Sequence, residues 1–150
     1  MPQQFMDVLL VDDSVADRRF ITRELQRCGR PYHIDTADTV GRAREMLSQK
    51  HYDCVLLDYN LPDADGLSLI EGMRGNGATG VVMITGEGSE KIAAQAIKLG
   101  AYEYLPKKQL NGRRLSSALD RAVEHTKVKR TQAHQRLVME NFASSAAHDL

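Results

Sequence analysis

The stretch HYDCVLLDYNLPDADG, residues 51–66, runs an apolar segment into an acid and then into a turn. Val55-Leu56-Leu57 has no polar alternation, the pattern of a strand covered on both faces. Asp58 stands where such a strand is expected to surface, and Pro62 and Gly66 shape the loop beside it. Strands covered on both faces belong to parallel sheets, whose crossovers need helices. The flanking sequence should therefore alternate short apolar runs with segments of helical period.

It does. Val8-Leu9-Leu10-Val11 is a first apolar run, followed by Ser14 as a helix N-cap and a helix with Phe20, Ile21 and Leu25 on one side. Gly29 and Pro31 close that helix, and Tyr32 to Ala37 forms a second strand. Val40, Ala43, Met46 and Leu47 recur at helical spacing. After the strand at Val55, a short helix carries Leu67, Leu69, Ile70 and Met73, and Gly75-Asn76-Gly77 breaks it. Val81-Val82-Met83-Ile84 is a fourth strand. Ile92, Ala93, Ala96, Ile97 and Leu99 mark a helix ended by Gly100, and Ala101 to Leu105 a fifth strand. The expected fold is an α/β doubly wound parallel sheet of five strands, flavodoxin-like, in the order 2-1-3-4-5.

The composition excludes several classes of function. The chain has 150 residues, 42% hydrophobic content and a formal net charge of zero, which gives no electrostatic reason to expect nucleic acid or a membrane surface as partner. No apolar run approaches the ~18 residues of a membrane span, and the first residues do not read as a secretion signal. Cys28 and Cys54 suggest no disulfide framework, so a reduced, cytoplasmic protein is expected. The five histidines show no zinc-ligand spacing.

From Gly112 to Leu150 there is no proline and no further glycine, so one extended helix is expected. Leu115, Ala118, Leu119, Ala122 and Val123 give its first part a stripe fit to pack on the sheet. Val128, Ala133, Leu137, Val138 and Phe142 make a thinner seam in its second part, which points to a coiled coil between two chains. The basic residues of this segment read as a solvated helix face. The expected division is a domain over 1–120 and a helical linker or coiled coil over 121–150.

In a doubly wound sheet, ligands bind at the carboxyl ends of the strands. Those ends carry Asp12 and Asp13 after strand one, Asp58 after strand three, Thr85 after strand four and Lys107 after strand five. An acid pair after a strand is by itself an ordinary helix start, Thr85 alone an ordinary cap, and a lone Tyr104 an ordinary core residue. Together, however, three carboxylates in one crevice would repel, and a hard divalent cation such as Mg²⁺ removes the conflict. A carboxylate nucleophile, a metal, a hydroxyl and a lysine around one point make a phosphoryl-binding site. A dinucleotide site is excluded, because Asp12-Asp13-Ser14 stands where a glycine-rich turn would be needed.

The motifs Leu10-Val11-Asp12-Asp13-Ser14, Leu57-Asp58-Tyr59-Asn60-Leu61-Pro62-Asp63-Ala64-Asp65-Gly66, Ile84-Thr85-Gly86 and Tyr104-Leu105-Pro106-Lys107 carry a resemblance. Over residues 6 to about 120 the chain resembles the receiver domain of the two-component response-regulator family. The resemblance implies that Asp58 is the phosphoacceptor, that Asp13 binds Mg²⁺ directly and Asp12 mostly through water, and that the Asn60 carbonyl completes the protein ligands. It implies that Lys107 and Thr85, with the backbone N–H groups of Asn60 and Gly86, contact the phosphoryl oxygens. Tyr104 would be the aromatic whose inward or outward rotamer reports phosphorylation. The chain departs from the family's usual Lys-Pro: Pro106 precedes Lys107 and Lys108 follows it, and the three-residue spacing from Tyr104 favours Lys107 over Lys108.

His148-Asp149-Leu150 resembles the start of the phosphoacceptor box in the dimerisation domain of histidine kinases. The expectation is therefore a receiver that takes a phosphoryl group from a phosphohistidine donor, a kinase or phosphotransfer protein, and signals through its long helix to a histidine kinase, as a homodimer. The chain holds no ATP-binding domain, and its chemistry is its own modification. The alternative is a stand-alone response regulator acting as a phosphate shuttle or docking module. No helix-turn-helix sequence follows the domain, so a nucleic-acid partner is not expected.

Overall fold

The computed structural model describes residues 5–73, 79–86 and 90–148, with no account of the side chains at 129–131, 133–134 and 141–148. Strands β1 (Met6–Val11), β2 (Tyr32–Ala37), β3 (Cys54–Asp58), β4 (Gly80–Thr85) and β5 (Glu103–Pro106) form one sheet in the order β2-β1-β3-β4-β5. Every pairing is parallel, and the registers Leu10↔Leu56, Leu56↔Val82 and Ile84↔Leu105 run straight across it. The helices are α1 (Val15–Gln26), α2 (Val40–Gln49), α3 (Gly66–Gly72), α4 (Glu90–Leu99) and α5 (Gly112–His148), with a 3₁₀ turn at Lys107–Gln109. This is the expected doubly wound sheet.

Side chains of the central strands alternate between two cores. Val8, Leu10, Leu56, Val82 and Ile84 pack with Ile21 and Leu25 of α1 and with Leu115 and Leu119 of α5. Leu9, Val11, Val55, Leu57 and Met83 point the other way, onto Val40 and Ala43 of α2, Leu69 and Ile70 of α3 and Ala96 of α4. All five residues of β3 are buried, as the quoted stretch demands of a central strand.

Three local expectations are corrected. Phe20 is 42% exposed while Ile21 and Leu25 are buried, because residues four apart share a helix face and the neighbour one step away is turned about 100° from it. Ile97 is likewise exposed on α4, where Ala96 makes the contact with the sheet. Strand β5 begins at Glu103 rather than Ala101: Ala101 donates its N–H to the Ala96 carbonyl, within the turn that Gly100 opens at φ 124°. Pro106 closes β5 without disturbing the ladder, since β5 is an edge strand. The Gly75-Asn76-Gly77 break lies outside the described residues.

Helix α5 has 37 residues, about 55 Å of rise. Its stripe of Leu115, Ala118, Leu119, Ala122 and Thr126 is buried against the domain, whereas Val128, Leu137, Val138 and Met139 are exposed. The boundary expected at residue 120 therefore falls inside one continuous helix. Among the described residues, no helix is long and apolar enough to cross a membrane.

Candidate functional site

The carboxyl ends of β1, β3 and β4 and the turn after β5 converge on one acidic pocket. β1 ends at Val11, so the chain leaves the sheet through Asp12 and Asp13 and enters α1 at once. Asp12 Oδ1 accepts from the Ser14 N–H at 2.9 Å, and Ser14 Oγ accepts from the Asp17 N–H at 3.2 Å to cap α1. Asp58 does not surface at the end of β3, as expected, but is buried at 3% exposure, because the loop after it folds back over the pocket. That loop is fastened from several sides. Tyr59 donates its N–H to Ile84, Asn60 and Asp65 form a bridge, and Asp65 caps α3 through the Ser68 N–H. Asp63 accepts from the Val40 and Gly41 N–H groups at 2.9 Å each, at the first turn of α2. Gly66 is required at the turn: a Cβ there would lie 2.6 Å from the Asp58 carbonyl oxygen.

Carboxylate oxygens of Asp12, Asp13 and Asp58 lie within 4.8 Å of one another, with Asp12 and Asp58 buried and Asp13 exposed. Lys107 enters from the turn after β5. Its Nζ donates to Asp17 Oδ2 at 2.8 Å and to Asp58 Oδ2 at 3.1 Å, and lies 2.9 Å from Asp12 Oδ2. The last contact is an ion pair, in which the ammonium is the partner of the fully buried Asp12 Oδ2. Burial raises the pKa of Asp58 above the usual carboxylate range, the charge of Asp12 raises it further, and Lys107 only partly offsets both. Burial alone would pull Lys107 down, but the carboxylates of Asp17 and Asp12 and the charge of Asp58 more than reverse this, and it is held firmly protonated.

The donor set fits Mg²⁺: three clustered carboxylates, two of them buried, and hard oxygen chemistry throughout. Thr85 is fully buried as the last residue of β4, in register with Pro106, and Gly86 follows beside the Lys107 stem. Asn60 donates a long backbone hydrogen bond of 3.4 Å to Asp58 Oδ1. Tyr104 is half-buried on β5, packed against the α2–α4 side of the core. Lys108 is exposed, and only Lys107 of the two reaches the pocket.

The model for the response regulator receiver domain matches residues 8–120, spanning every element that builds this pocket. The chain belongs to that family. It is a receiver domain of a two-component system. It is 30% identical over 137 residues to the transcriptional regulatory protein SrrA of Staphylococcus aureus, covering 89% of this chain and 56% of that protein. It thus spans about half the length of the curated relatives it matches. Among solved structures it resembles NtrX from Brucella abortus, with a TM-score of 0.76, 31% identity and coverage of 89% of this chain and 30% of that one. It also resembles the receiver domain of a LuxO repressor protein from Vibrio parahaemolyticus, with a TM-score of 0.75, 26% identity and coverage of 85% and 97%.

The receiver's pocket brings Asp12, Asp13, Asp58 and Lys107 together, with Thr85 and Asn60 at the ends of the flanking segments. His148 lies in the last turn of α5, where its side chain is not described, and Asp149 and Leu150 lie outside the described residues. Sequence reading missed Asp17, which makes the shortest contact to Lys107. Ser14-Val15-Ala16-Asp17 has the form of a capping box, whose acid turns back to the N-cap N–H. Here the Ser14 N–H is already taken by Asp12 Oδ1, so the Asp17 carboxylate is released toward Lys107. The pairing of those two motifs was the available signal.

Proposed function

We propose that the domain accepts a phosphoryl group from a phosphohistidine donor onto Asp58, and that α5 carries the resulting change of state away from the sheet. The observation that supports this is one buried carboxylate, Asp58, held between two further carboxylates and a charged lysine. Asp12, Asp13 and Asp58, with the Asn60 carbonyl, would hold Mg²⁺, which when bound supplies the positive charge that offsets carboxylate repulsion and phosphoryl charge. An Asp58 carboxylate oxygen attacks phosphorus, the P–N bond to the donor imidazole breaks, and the ring nitrogen keeps the electron pair. Lys107 neutralises a phosphoryl oxygen, and Thr85 donates its hydroxyl to another. The backbone N–H groups of Asn60 and Gly86 are the remaining donors. Movement of Thr85 toward the phosphoryl group opens space that Tyr104 takes up, which alters the face of α4, β5 and α5.

The location of this chemistry is cytoplasmic, where phosphohistidine donors are made with ATP. Acetyl phosphate or beryllofluoride with Mg²⁺ should modify Asp58, detected as a phosphoryl or fluoride adduct, and leave Asp58→Asn without one. Equal labelling of both would refute the assignment.

Two outputs are supported by specific observations. The exposed residues Val128, Leu137, Val138 and Met139 of α5, with the sequence His148-Asp149-Leu150 after them, favour a dimeric histidine-kinase output. The SrrA relative, named a transcriptional regulatory protein and only 56% covered, favours instead a DNA-binding output and sets aside the expectation that nucleic acid plays no part. An acid-labile phosphohistidine at His148 identifies the first, and retention of specific DNA on phosphorylation identifies the second.

A further inference from the structure

Lys107 has one more carboxylate partner than phosphoryl transfer requires. Asp12 and Asp58 are buried in the pocket and belong to its acidic cluster. Asp17 does not: it lies in the first turn of α1, its side chain is 42% exposed, and it still makes the shortest of the three contacts at 2.8 Å. Its position is imposed from both ends. The Ser14 hydroxyl holds the Asp17 N–H, fixing the first turn of α1, and Asp12 occupies the Ser14 N–H that a capping-box acid would otherwise bind. The Asp17 carboxylate is thereby aimed across the mouth of the pocket at Lys107.

We propose that Asp17 is a built-in competitor for Lys107, a rim carboxylate that occupies the ammonium until a phosphoryl group on Asp58 displaces it. The proposal rests on the phosphoacceptor reading above. An ammonium has three N–H groups, and two of those of Lys107 are committed to Asp17 and Asp58 while Asp12 holds it by charge. Phosphorylation turns the Asp58 carboxylate into an acyl phosphate, which removes the carboxylate's own charge and brings phosphoryl oxygens into reach of the same ammonium. Asp12 is fully buried at the end of β1 and cannot withdraw. Asp17 is the partner with solvent to turn into, so its hydrogen bond is the one that breaks. Each phosphorylation then includes the loss of the Asp17–Lys107 bond, and the unmodified state is favoured by whatever that bond contributes. Asp17 is a positioning residue acting through Lys107, and it touches no reacting atom.

Asp17→Asn should tighten beryllofluoride binding in the presence of Mg²⁺ by about two- to fivefold, the range an exposed charge-assisted pair supports, and should speed labelling by acetyl phosphate to a similar degree. Asp17→Glu, which keeps the charge, should restore most of the wild-type affinity. Loss of a negative charge could favour any anion from a distance, so the decisive arm is a double-mutant cycle. In a Lys107→Ala background, Asp17→Asn should leave the acetyl phosphate rate unchanged if the effect runs through the ammonium, and raise it if the effect is long-range charge. Unchanged or weaker binding in Asp17→Asn, or persistence of the gain without Lys107, overturns the proposal. A wild-type chain that forms no adduct at all overturns the phosphoacceptor reading itself, and the two failures are thereby separable.

Discussion

Asp58 has the environment of a carboxylate that holds its proton longer than usual, since it is buried beside the anion of Asp12. Its folded-state pKa lies above the ordinary 3.8, so the folded chain binds the proton more tightly than the unfolded chain does. That contribution to stability is present below the ordinary value and is lost as pH rises through the raised one. Without divalent metal, the thermal midpoint of the wild type should therefore fall relative to that of Asp58→Asn as pH climbs from about 4 to neutrality. Melting curves in EDTA across this window measure the difference, and parallel curves would show that burial does not strain Asp58. Mg²⁺ affinity should move the opposite way, rising with pH as the carboxylate ionises. The sequence showed the crowding of carboxylates at the strand ends, but it placed Asp58 at the surface. Burial is a property of the loop that closes over it.

Between β3 and α3, a seven-residue loop sets the pocket's floor, and its geometry depends on Gly66. A methyl group there would meet the Asp58 carbonyl oxygen at 2.6 Å and the Tyr59 Cα at 3.2 Å, both backbone atoms that cannot swing aside. Gly66→Ala should destabilise the fold by about 1–3 kcal/mol and lower the rate of Asp58 labelling at temperatures where the variant is still folded. Denaturant midpoints and the acetyl phosphate reaction check the two effects separately. The segment's element types were legible from its pattern: an unalternated apolar run, a turn with Pro62 and Gly66, then residues of helical spacing. Helix faces were read less well. Phe20 and Ile97 are apolar, but the sheet selects the neighbouring Ile21 and Ala96, and which of two adjacent residues faces inward follows from how the helix docks. Asp17 was passed over for a related reason. A capping-box acid is normally spent locally, and only the competing hydrogen bond from Ser14 to Asp12 frees it.

The molecule as a whole is a sheet domain with a helix that outruns it. Among the described residues the last buried one of α5 is Thr126, whose hydroxyl donates back to the Ala122 carbonyl, and the helix continues to His148. A chain ended after Val128 should keep its thermal midpoint within a few degrees, because among the described residues it loses no buried side chain. If the distal seam pairs two chains, light scattering after size exclusion should give a dimer for residues 1–150 and a monomer for the shortened chain. A monomer in both cases would remove the coiled coil from the proposal.

Local pattern was enough to specify strand identity, parallel pairing, the order 2-1-3-4-5 and the placement of acids at strand ends, because side-chain period and right-handed crossovers are short-range constraints that leave few arrangements. Distances were a different matter. How closely Lys107 approaches Asp58, which oxygen of Asp12 pairs with it, and why Asp17 joins the cluster all depend on segments up to 90 residues apart meeting at one point. Such meetings are settled by packing two cores against a single sheet, and no stretch of the chain contains that information alone.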